Sequence, residues 1–190
     1  MARLMFDSDN IADLPDNTLC ATYADLVHNP ADVDNLRKRF RHGILFIDRH
    51  GDPLDIATIL DVERGLHGAN DVPGWLDHKK SKGITGTVYC NRSSLDAVNA
   101  AAGQRQLSRW IATLDGTMHI PNFKAGETPA AVQFATSQML GFHCDASVVW
   151  EDGWHPAPAV WDRSPILLKG LQTVADDVQN CITIVRQHLP

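Results

Sequence analysis

The chain has no apolar run long enough to cross a bilayer, which excludes a transmembrane helix. No secretory leader is expected either, because Met1-Ala2-Arg3-Leu4-Met5-Phe6 meets Asp7 before a hydrophobic signal core can form. A product made in a bacterial cytoplasm is expected. Cysteine is scarce and scattered: Cys20, Cys90, Cys144 and Cys181 form no C-x-x-C pair, so reduced thiols are expected rather than a zinc site or a disulfide framework. The nine histidines fall in no H-x-x-x-H or H-E-x-x-H arrangement. No metal and no cofactor is therefore expected. A basic stripe is missing as well. Arg37-Lys38-Arg39 with Arg41 and His42 is local, and the formal charge of -6 argues against a nucleic-acid partner.

What is present is the composition of a globular protein. The chain has 190 residues, 44% hydrophobic and 21% charged, enough for one domain with a buried core. Up to about residue 150, short apolar segments alternate with helical or loop segments, the pattern of an α/β fold rich in parallel sheet. Strands are expected at Leu4 to Phe6, Cys20 to Ala24, Ile44 to Ile47, Ala57 to Leu60, Thr87 to Cys90, Trp110 to Ala112, Ala131 to Phe134 and Ala146 to Val149. Asn29-Pro30 reads as cap and first turn of a helix that runs through Val33 and Leu36 to Phe40 and stops near Gly43. Val72 to Trp75 opens a second helix closed by Gly83, and Ser93 or Ser94 caps a third that ends at Gly103.

Eight strands in about 150 residues are too few residues for a full (β/α)8 barrel, which takes about 250. The expected fold is a compact, incomplete, TIM-like barrel whose crossover helices are partly reduced to loops. One connection stays open. Asp48 to Ile56 is short for a parallel crossover, so the third and fourth strands either pair antiparallel around Gly51-Asp52-Pro53 or one strand is misplaced.

Beyond the barrel, 151–163 is a Pro-rich linker. From 164 to 190, Leu167, Leu171, Val174, Val178, Cys181 and Val185 recur at spacings of four and three, an amphipathic helix. Its apolar face either packs on the barrel or forms an oligomerisation seam.

The pattern with chemical content is Asp61-Val62-Glu63 at the end of the fourth strand. Side chains alternate along a strand, so both carboxyls point the same way. Such a pair is costly unless a site uses it, and glycoside hydrolysis uses one protonated and one ionised carboxyl.

With Phe6-Asp7, Asp61-Val62-Glu63, Val88-Tyr89-Cys90-Asn91, Trp110-Ile111-Ala112, Val132-Gln133-Phe134 and Gly141 to Val149 in this order on strand ends, the sequence resembles the glycoside hydrolase family 25 lysozymes, especially short relatives from actinobacteria and their phages. The resemblance implies a muramidase-like domain acting on peptidoglycan, with Glu63 as general acid and Asp61, Asp7 and Asp145 as the other carboxylates. Tyr89, Asn91, Trp110 and Gln133 become candidates for binding the sugar, against a core role for Tyr89, Trp110 and Gln133 and a turn cap for Asn91. Asp7 and Asp145 have turn or cap alternatives of their own.

Two features depart from the family. Phe46-Ile47-Asp48-Arg49-His50 stands where the third strand commonly ends in a Tyr-His-Phe-like segment, and Arg64 adjoins Glu63, whose ionised form it would favour on contact. They support a second expectation: a catalytically silent virion or tail component of a phage that binds cell wall and oligomerises through 164–190.

Overall fold

The computed structural model describes residues 2–16, 18–116 and 129–150. Eight strands close into one barrel in sequence order: β1 (Ala2–Asp7), β2 (Leu19–Tyr23), β3 (Ile44–Asp48), β4 (Ile59–Val62), β5 (Thr87–Asn91), β6 (Ser108–Ala112), β7 (Ala131–Ala135) and β8 (Asp145–Trp150). Neighbours from β1 to β7 run parallel. β8 runs antiparallel to both β1 and β7 and closes the ring between them. The eight expected strands are all present, in a mixed barrel.

Alternation divides each strand between two cores. Met5, Ala21, Ile47, Ile59, Trp110 and Val149 meet inside the barrel. Outside it, Phe40 and Val33 cover Phe46 and Ile44, while Leu76 and Val98 cover Leu60, Val88 and Ile111. Four α-helices lie among the described residues: α1 (Pro30–Arg39), α2 (Val72–Ser81), α3 (Leu95–Ala102) and the single turn α4 (Ser137–Leu140). The Asn29 side chain accepts from Asp32 N–H at the start of α1, as its sequence indicates. Thr136 caps α4 in the same way, a short element that lacks a periodic signature in sequence.

The β3–β4 pair is parallel, in the register Ile47↔Ile59 and Asp48↔Leu60. Residues 49–58 cross over without a helix, and the hairpin alternative is not formed. Asp52 explains this. Its carboxylate accepts from Ile56 N–H at 2.9 Å and Ala57 N–H at 2.7 Å, holding the loop in place of a crossover helix. The same bonds keep Ala57 out of the ladder, so β4 starts two residues later than expected and contains Asp61. The loop is docked onto α2 by Lys79, 1% exposed, whose ammonium lies 3.3 Å from Asp52 and 2.8 Å from Asp55.

The linker 151–163 and the helix expected at 164–190 lie outside the described residues. Among the described residues, no helix is long and apolar enough to cross a membrane.

Candidate active site

The reversed direction of β8 decides what the barrel mouth contains. β1 to β7 present their carboxyl ends there, and β8 presents its amino end. Asp7, the last residue of β1, is thereby paired in register with Asp145, the first of β8. Asp61 lies on β4 beside Tyr89 of β5, and Glu63 follows directly after β4. The four carboxyls expected from sequence converge on one end of the barrel.

Gln133 of β7 ties two of them together. Its amide Nε2 donates to Asp145 Oδ2 at 2.9 Å and reaches Asp7 Oδ2 at 3.5 Å, while its Oε1 accepts from the Tyr89 hydroxyl at 2.5 Å. Asp145 Oδ1 also accepts from Ser137 N–H at 2.6 Å, which fixes the start of α4 against the mouth. Trp110 lies beneath this layer. It is 1% exposed, its ring meets Tyr89 edge-on at 4.8 Å between centroids, and its Nε1 donates to Ser147. Its role is to support Tyr89 from below. Asn91 turns to the backbone instead: its Oδ1 accepts from Ser94 N–H at 2.9 Å and from the Ser93 hydroxyl, capping the turn into α3.

Burial and like charge act together on the carboxyls. Asp7 is held well above the usual carboxylate range, first by burial and then by the charges of Asp145, Asp61 and Glu63. Burial and then Glu63 push Asp61 up to about 7, and the positive charge of Arg49 only partly opposes them. Glu63, half-buried, is raised by burial and by Asp145, with the nearby Tyr89 hydroxyl pulling the other way. Asp7 Oδ1 and Asp61 Oδ1 are buried and accept no hydrogen bond among the described residues, which favours their protonated forms. Arg64 is exposed, and the groups that act on Glu63 do not include it.

Two residues of the mouth carry no motif in the sequence. Tyr23 ends β2, and burial followed by the charges of Asp7 and Asp61 keeps its hydroxyl protonated. Arg49, one residue past β3, lies over the Tyr23 ring at 4.0 Å. The signal for both is strand alternation, Leu19 and Ala21 leading to Tyr23 and Leu45 and Ile47 to Arg49, but it points to a site only once the barrel register is known.

A cavity of about 410 Å³ lies elsewhere, lined by Leu76, Lys80, Ile84 and Arg105 among others, beside the segments that lead into β5 and β6. Two of its charged lining groups are engaged with each other, Asp77 pairing with Arg105 at 2.9 Å. No group of three or more His, Cys, Asp or Glu placed to hold a metal ion occurs among the described residues. Comparison of the chain with known protein families, curated proteins and solved structures gives no match.

Proposed function

We propose that this chain is a glycosidase of the family 25 lysozyme type, cleaving the glycan strands of peptidoglycan as a phage-associated wall hydrolase. The observation that carries this reading is the convergence of Asp7, Asp61, Glu63 and Asp145 at one barrel mouth, with Asp7 held well above the ordinary carboxylate range, Asp61 pushed up to about 7 and Glu63 raised as well. Glycoside hydrolysis needs a protonated carboxyl beside an ionised one at neutral pH, and crowding in a half-buried site supplies that division.

In this reading the barrel is an incomplete (β/α)8 scaffold, and Asp7, Asp61 and Glu63 lie where that architecture places catalytic groups, at the carboxyl ends of strands, joined by Asp145 from the amino end of the reversed β8. Glu63 is the acid that protonates the leaving glycosidic oxygen, because it is the half-exposed member of the D-x-E pair while Asp61 is 2% exposed. Asp61, Asp7 and Asp145 surround the sugar: those that are ionised stabilise the oxocarbenium-like transition state, and those that keep a proton orient the sugar's N-acetyl group. Tyr89 and Gln133 hold these carboxyls in place and line the floor with them.

The test is turbidity loss of actinobacterial cell walls. The unaltered chain clears them, and Glu63→Gln slows clearance at least about a hundredfold, the scale of a lost general acid. Equal, undetectable activity of both across a range of walls and pH overturns the enzyme reading. It would leave the alternative, a silent virion or tail component, which rests on self-association through 164–190.

A further inference from the structure

Arg49, the cation among the described residues whose charge is felt by Asp61 at the mouth, is not used as structural arginines of this chain are. Arg39 spends its whole guanidinium on the fold: Nε on Asp16 at 2.6 Å, Nη1 on the Ile11 carbonyl and Nη2 on the Leu14 carbonyl, both at 3.0 Å. Arg105 forms a fork on Asp77, with Nε and Nη2 each at 2.9 Å. Arg49 commits only Nε, shared between Asp25 Oδ1 at 3.2 Å and Oδ2 at 3.1 Å. Its side chain is 21% exposed, and stacking on Tyr23 at 4.0 Å fixes the plane of the group. Its two η nitrogens carry four donors, and among the described residues they make no hydrogen bond.

Charge balance within the protein does not explain this placement. If Arg49 served to keep Asp61 ionised, its attraction would outweigh burial and Glu63, yet both of these exceed it and Asp61 ends near 7. The Asp25 pair is partly exposed, with that carboxylate at 28%, and partly exposed pairs stabilise a fold little. What remains is a rigid, oriented, half-satisfied guanidinium on the β2–β3 side of an otherwise acidic mouth. Its open edge fits a planar anion, because two parallel N–H groups match the two oxygens of a carboxylate.

We propose that Arg49 is the specificity-determining residue of this mouth and receives, on its η nitrogens, a carboxylate carried by the sugar chain. The inference rests on the glycosidase reading and adds that the substrate is anionic beside the bond cleaved. The neighbouring acidic groups then select as well as react: they repel an acidic glycan in any orientation that does not set its carboxylate against Arg49.

Binding tests this without turnover. Two N-acetylhexosamine oligosaccharides, identical except that a carboxylate in one is reduced to an alcohol in the other, are titrated calorimetrically into the full chain carrying Glu63→Gln. The acid form binds roughly tenfold or more tightly, the scale of a charge-assisted hydrogen-bonded pair. Adding Arg49→Met brings the two affinities within about twofold by weakening the acid form alone, and Arg49→Lys keeps part of the preference; unchanged affinity for the alcohol form shows that the mouth is intact. Equal affinities before Arg49 is altered, or an unchanged preference in Arg49→Met, overturn the proposal. If the unaltered chain nevertheless clears cell walls, that result sinks only the role of Arg49. If neither sugar binds and walls are not cleared, the glycosidase reading falls and the proposal with it.

Discussion

Asp61 shows at a single residue how a site destabilises its own fold. An unfolded Asp loses its proton near its ordinary value of 3.8, whereas in the folded chain Asp61 keeps it to about 7. A raised folded value contributes stability that is present at low pH and lost as pH rises from the unfolded to the folded value. The expected outcome is that Asp61→Asn, which cannot ionise, melts at about the same temperature as the unaltered chain near pH 4. By pH 7.5 it melts several degrees higher, the difference corresponding to a few kcal/mol. Thermal melts of both proteins across that range check it, and a constant difference between the curves contradicts the shift. Sequence showed Asp61 and Glu63 as a same-side pair, and the resemblance to the family 25 lysozymes added Asp7 and Asp145. Sequence did not show that Gln133 would bridge Asp7 to Asp145, because that depends on which strands lie side by side; for Asn91 it offered the local turn cap beside the sugar-binding role, and the cap is what forms.

The element that departs most from its sequence reading is the β3–β4 connection, which crosses between parallel strands with no helix. Its stability comes from α2 by way of Lys79, buried against Asp52 and Asp55, with the Trp75 ring 5.3 Å from the ammonium. Asp48, the last residue of β3, adds a second brace: its carboxylate accepts from Gly51 N–H at 2.8 Å and Trp75 Nε1 at 3.2 Å, and lies 3.1 Å from His67 Nε2. Removing one member of a buried ion pair leaves the other uncompensated, so Lys79→Met is expected to cost about 3–5 kcal/mol in denaturant unfolding. A cost below about 1 kcal/mol would mean that the loop holds its course without α2. This connection was illegible because Lys79 stands far along the chain from Asp52, and a lysine near the end of a helix reads as a solvated residue until packing buries it. Helices α1, α2 and α3 were legible, since Asn29-Pro30, Gly83 and Gly103 act locally, through a cap and through backbone at positive φ.

At the scale of the whole molecule, the order and approximate place of all eight strands could be read from apolar runs and turn residues, but the direction of the last could not. Direction depends on where the segment from β7 to β8 returns, and no periodicity records that. It matters because an antiparallel β8 brings Asp145, rather than Trp150, to the mouth, where its charge raises both Glu63 and Asp7. The pH dependence of cleavage then reports on barrel closure. If Glu63 must be protonated to act, activity falls on the alkaline side as Glu63 ionises. Asp145→Asn removes a like charge, so the Glu63 value moves down toward its ordinary range and the alkaline limb moves to lower pH, besides any loss in maximal rate. Asp77→Asn, at the Arg105 pair away from the mouth, leaves the limb where it was. Wall-clearance rates measured from pH 4 to 9 for the three proteins check this. A limb that stays fixed in Asp145→Asn overturns the assignment of Glu63 as the donor of the proton to the glycosidic oxygen.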